Sequence, residues 1–317
     1  MRKFILQRLA SIVVTLWLLA TIVFMLVSVL PGDVGRKVLG PTAPKEDVAA
    51  FNAQLGTDQP LFEQYVKSMK RVFTLDFGTS YQTRSSVSDI IFPALGRSGK
   101  LAVLAFIFTI PISIFAGIYA ARRKDKLADR VIVNAGLASS SIPEFVTAAV
   151  LLAVFAVELG WGKAFANPPD GTSLFGQLEY LWLPAMAMAI AYFGYIARMT
   201  RAGVITALNA DYTRTATMKG MSSSQVMRRH ILRNALAPTI TVISVQIGYL
   251  IGAVIGVERV FNYSGLGSTM LGAVGAHDVP VLQGAVLLVG IVYMLSTLLA
   301  DLLIAFLNPR VRLETTR

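Results

Sequence analysis

Cysteine is absent from this 317-residue chain, and histidine occurs only twice, as His230 and His277. Without cysteine there is no disulfide framework, no thiolate nucleophile and no thiolate ligand for a metal. Two isolated histidines argue against an all-protein transition-metal site. No His-Glu-x-x-His and no Gly-x-Ser-x-Gly occurs, so the common hydrolase chemistries lack their base or nucleophile. No Gly-x4-Gly-Lys-Ser/Thr occurs either; Gly99-Lys100 runs straight into Leu101, so a phosphate-binding loop for ATP is missing. The expectation is a chain that is no enzyme on its own and carries no metal or cofactor. Charge is also scarce, at 15% of residues against about 25% in a soluble domain.

What replaces charge is hydrophobicity. Apolar residues make up 55% of the chain and its mean hydropathy is +0.62. The first apolar run covers residues 9–30, behind Arg2, Lys3 and Arg8. It is long enough to cross a bilayer core, longer than a signal-peptide core, and followed by no convincing cleavage site, so it reads as a retained transmembrane helix. Five more runs follow, at 101–121, 131–157, 181–197, 236–257 and 281–307. They are continuous rather than alternating, which selects helices over a closed barrel. The fold expected is an all-α polytopic membrane protein with six transmembrane helices, the longest of them tilted.

Basic residues orient it. The net charge of +11 belongs to a nucleic-acid binder or to the cytoplasmic loops of a membrane protein, and its distribution favours the second. Segments 1–8, 122–130, 198–233 and 308–317 hold 18 of the 29 Lys and Arg residues, whereas the opposite loops 160–180 and 258–280 hold one each. Both termini are therefore expected in the cytoplasm. The domain organisation expected is an N-terminal span (1–30), an extracytoplasmic segment (31–100) forming a small ordered cap, a core of five spans (101–307) with a cytoplasmic loop at about 205–235, and a cytoplasmic tail (308–317).

That loop, Ala-Asp-Tyr-Thr-Arg-Thr-Ala-Thr-Met-Lys-Gly-Met-Ser-Ser-Ser from residue 210, is too polar to enter lipid. Residues 209–219 suit a short helix, Gly220 a left-handed turn, and Ser222 or Ser223 the cap of a second helix that leads into span five near Pro238. By itself this is either a solvated basic loop or a compact knob built to be touched.

The residues in it closely resemble a family signature. Tyr212-x-Arg214-Thr215-Ala216-x-x-Lys219-Gly220, then His230-x-x-Arg233-Asn234-Ala235-x-x-Pro238, is similar to the coupling-loop motif of the peptide and nickel branch of binding-protein-dependent ABC importers. Arg214 stands where the general Glu-Ala-Ala motif has Glu, and Thr215 replaces its first Ala, as is usual in the peptide branch. The likeness extends along the chain through Pro31-Gly32-Asp33, Leu55-Gly56-x-Asp58-x-Pro60, Asp76-Phe77-Gly78-x-Ser80, Val257-Glu258-x-Val260-Phe261, Gly265-Leu266-Gly267, Asp301 and Asn308-Pro309-Arg310. The long outer segment points to the first of the two paired permeases. The resemblance implies a MetI-like type I importer permease fold in a bacterial inner membrane. It also implies a second permease, two cytoplasmic ATPases that bind the ATP and Mg, and an extracytoplasmic solute-binding protein. The coupling set it implies is Asp211, Tyr212, Arg214, Thr215, Ala216, Lys219, Gly220, His230, Arg233 and Asn234. Dipeptides, oligopeptides, glutathione-like peptides, nickel chelates and some glycosides are all carried in that family.

Three further features invite a role. Glu144, about 13 residues into the third run, would lie roughly 20 Å deep, where a carboxylate is costly and marks either a translocation path or a structural pair. Glu258, just outside span five, reads either as a gate brace or as a rim residue in water. Gly248, Gly252 and Gly256 form a small-xxx-small ridge, either a sliding surface or fixed packing. Two other classes stay open: a secondary transporter using Glu144 for proton coupling, and a membrane scaffold docking a soluble enzyme on the knob.

Overall fold

The computed structural model describes residues 2–29, 34–56, 58–74, 76–169 and 171–307. Among these the chain is helical, with one isolated antiparallel bridge, Thr79 to Ser86. Pro31-Gly32-Asp33 and the tail 308–317, both used in the resemblance, lie outside the described residues. The contacts divide the chain into two compact units, Met1–Ser98 with Ser264–Met294, and Gly99–Tyr263 with Leu295–Arg317.

The first unit holds α1 (Arg2–Val29), three shorter helices, α2 (Val34–Leu39), α3 (Lys45–Leu55) and α4 (Leu61–Thr74), and the start of α5 (Val87–Arg122). It takes in one of the later short helices and the first part of the last long one. Gly56 closes α3 at φ +72°, a conformation that costs glycine nothing. The core gathers Ala20, Met69, Phe77, Val87, Ile91, Leu266, Val281 and Leu287. Helix α5 begins at Val87, so its first turns precede the apolar run at 101. The outer segment thus ends in the same helix that carries span two.

The second unit is built around α8 (Leu174–Leu208), which runs between α6 (Leu127–Ser141) and α11 (Leu232–Val260). Glycine makes these crossings close. A Cβ on Gly194 would stand 1.9 Å from the Gly136 carbonyl oxygen of α6, one on Gly203 2.3 Å from the Ala235 carbonyl oxygen of α11, and one on Gly117 2.6 Å from the Ala197 carbonyl oxygen. Without a hydrophobic driving force between helices in lipid, such approach supplies the dispersion that holds them.

The third run corrects one expectation. It is not a single tilted span but α6 and α7 (Glu144–Leu151, continued as a wide π turn to Glu158), bent by 99° between them. The residue before a proline is pushed out of the helical region, and Ile142, ahead of Pro143, is extended at φ −91°, ψ 125°. The hydroxyls of Ser139, Ser140 and Ser141 donate back to the carbonyls of Gly136 and Leu137, so the last turn of α6 satisfies itself and can stop there. Pro184 and Pro238, by contrast, sit inside unbroken helices. Among the described residues four helices are long and apolar enough to span a membrane, five if the bent pair is one crossing. The run at 236–257 lies in α11, which at 29 residues is about 43 Å long, more than a hydrocarbon core requires. The last run lies in α13 (Val279–Leu307), which follows the short α12 (Leu266–Gly275).

Candidate functional site

The polar segment folds as a knob on the common end of α8 and α11. Asp211–Met218 form α9, Lys219 leaves the helix, and Gly220 turns the chain at φ +80°. Helix α10 (Ser223–Val226) starts on a complete capping box: the Gln225 amide N–H donates to Ser222 Oγ at 3.4 Å, and the Ser222 N–H to Gln225 Oε1 at 3.0 Å. A π turn, Met227–Ile231, then feeds directly into α11.

The knob has two faces. Ala216, Val226, Ile231 and Ala235 are buried and form one apolar cluster with Val204 and Ala207 of α8 and Ala121 of α5, and Thr213 is buried as well. Thr213 Oγ1 donates to the Ala207 carbonyl at 2.6 Å, tying α9 to the end of α8. Asn234 Nδ2 donates to the His230 carbonyl at 2.9 Å, within the stretch where the π turn passes into α11. On the other face Asp211, Tyr212, Arg214, Thr215, Lys219 and Gly220 are exposed, and Met218 is 71% exposed. Of the ten residues taken for coupling, Ala216 is therefore a buried anchor, His230 is half-buried, and the other eight, Arg233 and Asn234 included, are turned outward. The knob is thus joined to α8 through Thr213 and Ala216, and to α11 through the π turn.

Glu144 lies in the first turn of α7, immediately past the 99° bend, and is half-buried. Its depth cannot be counted by helical rise, since the helix axis changes direction one residue earlier. It lies within electrostatic reach of Tyr192 of α8, whose buried hydroxyl has no hydrogen-bond partner among the described residues. Glu258 is fully buried at the end of α11, not a rim residue in water, and its carbonyl accepts the Tyr263 N–H at 2.8 Å. In the glycine ridge, a Cβ on Gly256 would stand 3.0 Å from Phe145 Cβ of α7, while the surroundings of Gly248 and Gly252 lie outside the described residues.

Two polar clusters escaped the sequence reading. The Arg201 guanidinium of α8 donates to both oxygens of Asp129 in α6, at 2.5 and 2.6 Å, and the Asp125 N–H donates to the same carboxylate at 2.9 Å. Asp125 and Asp129 in a basic loop were the available signal, but the partner of Asp129 is 72 residues away. In the first unit, the buried Asp278 accepts from the Ser80 hydroxyl, from the Tyr81 N–H at 3.1 Å and from the Gln82 N–H at 3.3 Å. Asp278 thus clips the 80–85 turn of the outer segment onto the start of α13. Asp278→Ala strands those donors, at about 1–3 kcal/mol for each that stays buried. Trypsin cleavage at the exposed Arg84 in that turn is expected to accelerate at least ~10-fold, since each 1.4 kcal/mol is tenfold; digestion followed by mass spectrometry reads it.

Long apolar helices crossing on glycine, with a two-faced polar knob rooted in two of them, define a multi-span membrane transport subunit. The chain belongs to the family described as the binding-protein-dependent transport system inner membrane component, whose model matches residues 113–313. The N-terminal membrane component of such systems matches residues 1–102. The glutathione transport system permease protein GsiC of Escherichia coli (strain K12) is 34% identical over 312 residues, covering 98% of this chain and 99% of that protein. The GsiC protein of Salmonella typhi is 35% identical over the same length. A solved amino acid ABC transporter, with histidines, aligns at a TM-score of 0.49 and 18% identity over 70% of this chain and 94% of that one.

Proposed function

We propose that this permease takes up small peptides, glutathione among them, and that the α9–Gly220–α10 knob is its dock for a cytoplasmic ATPase. The single observation carrying the docking role is the division of the knob into a buried anchoring face and an outward face of Tyr212, Arg214, Thr215, Met218 and Lys219. The peptide substrate rests on the near full-length similarity to the two glutathione permeases. In this reading both termini are cytoplasmic, and a second permease completes the path. Two ATPases hold the nucleotide and Mg, and a binding protein delivers the solute from outside. The chain itself performs no chemistry and holds no cofactor. Glu144, set at the bend between α6 and α7, lines the path and meets the substrate ammonium, while the buried Glu258 braces the outer end of α11.

Because the chain has no cysteine, Met218→Cys is a unique attachment point. Crosslinking from it to a copurified ATPase, together with ATP-dependent uptake of labelled glutathione and dipeptides into proteoliposomes, is the expected result. Uptake driven by a proton gradient without nucleotide, and no crosslink, would replace this reading with the proton-coupled one.

A further inference from the structure

Helix α4 has an apolar flank that none of the described residues of its own unit covers. Two sides of the helix are pinned. Tyr65 OH lies 3.0 Å from Thr21 Oγ1 of α1, and its ring stacks edge-on against Phe24 at 5.4 Å. Ser68 Oγ accepts from Gln283 Nε2 of α13 at 3.1 Å. Met69, one turn on from Tyr65 and about 40° round the helix from it, is buried. Beside this seated face runs a second apolar stripe. Phe62, Val66 and Phe73 fall within about 40° of one another at 100° per residue, and they are 76%, 49% and 60% exposed. Lys67, Lys70 and Arg71, all exposed, flank that stripe on its far side.

The level of this stripe is set by α1. Thr21 and Phe24 both lie inside Leu9–Leu26, the stretch of α1 apolar enough to cross a membrane. A helix held against that stretch sits beside the hydrocarbon or at its edge, not far out in water. A helix with aromatic residues on one flank and cationic side chains next to them is suited to the boundary between acyl chains and headgroups. There lysine and arginine stems lie along apolar surface while their charges reach the phosphates.

We propose that α4 is a lipid-facing interfacial helix. Phe62, Val66 and Phe73 enter the acyl region of the leaflet reached by the C-terminal half of α1, and Lys67, Lys70 and Arg71 meet its headgroups. It would brace α1 against the outer segment and fix the depth of the cap in the bilayer.

The cysteine-free sequence makes the test direct. Phe62→Cys, Val66→Cys and Phe73→Cys, each spin-labelled in the full-length protein, are reconstituted into nanodiscs of phosphatidylcholine and phosphatidylglycerol. Accessibility to oxygen, which partitions into lipid, is compared with that to a water-soluble nickel chelate. Val13→Cys on the exposed face of α1 and Glu46→Cys in the exposed acidic first turn of α3 serve as lipid and water references. The expected oxygen-to-nickel ratio at positions 62, 66 and 73 is near that at 13 and at least ~5-fold above that at 46, as for a helix buried a few ångström into the interface. Ratios matching position 46 would place the stripe in water and overturn the proposal. Exclusion from both reagents would overturn it as well, by showing that another subunit covers the stripe. Three independent sites keep the result decisive should one variant fail to fold.

Discussion

Alanine in place of Gly194 is expected to lower the melting temperature of the purified protein by about 6–12 °C, from a loss of about 3 kcal/mol. The added methyl would lie 1.9 Å from the Gly136 carbonyl oxygen, and the next atoms are the Ser140 hydroxyl at 2.5 Å and the Gly136 carbonyl carbon at 2.6 Å. Two of those three atoms are backbone, so no side-chain rotation makes room. Helices α6 and α8 must part, and the contacts around the crossing weaken together. The Asp129–Arg201 pair joins the same two helices, so separation also strains a buried carboxylate whose guanidinium partner is held at 2.5–2.6 Å. Gly96→Ala is the matched control. A Cβ there meets nothing within 4 Å, and alanine is the better helix former by about 1 kcal/mol, so its melting temperature should hold or rise. Fluorescence-detected gel filtration after a temperature series measures both. Equal melting of the two variants would mean that the α6–α8 crossing is not as close as described.

The contrast between those two glycines shows what the sequence could and could not convey. Run length made the spans legible, because a bilayer sets a minimum number of apolar residues and each run meets it. The knob was legible because its determinants are local. Gly220 needs its left-handed turn, and Ser222 and Gln225 cap each other across three positions. Long-range pairings left no such trace. The periodic ridge Gly248-Gly252-Gly256 stood out by spacing, yet the tightest described approaches to another helix's backbone are at Gly194, Gly203 and Gly117, which share no simple repeat. Asp278 and Ser80 are 198 residues apart, and neither position hints at the other. Pro143 stands in plain view within the third run. Its 99° consequence does not, since Pro184 and Pro238 leave their helices unbroken and the difference lies in the extended Ile142 and the serine hydroxyls beside it.

The knob makes the sharpest functional prediction, because its two faces should fail differently. Met218→Asp and Arg214→Glu alter the outward face, where both side chains are exposed, and substitutions there usually shift stability by no more than about 0.5 kcal/mol. Each is expected to leave the melting temperature unchanged and to cut ATP-driven uptake at least ~10-fold, the loss that follows from 1.4 kcal/mol of docking energy. Ala216→Asp strikes the other face. Ala216 is 5% exposed among Val204, Val226 and Ile231, where an unpaired carboxylate costs several kcal/mol. Helix α9 should then lift from α8 and unfold locally, so that trypsin cuts after the exposed Arg214 and Lys219 faster than in the wild type, while uptake falls as far as in the outward-face variants. Ala216→Ser, small enough to stay seated, should retain most uptake. Wild-type transport by Met218→Asp and Arg214→Glu would remove the docking role from this face. Loss of uptake without faster trypsin cleavage in Ala216→Asp would mean that α9 is anchored by something other than the apolar cluster beneath it.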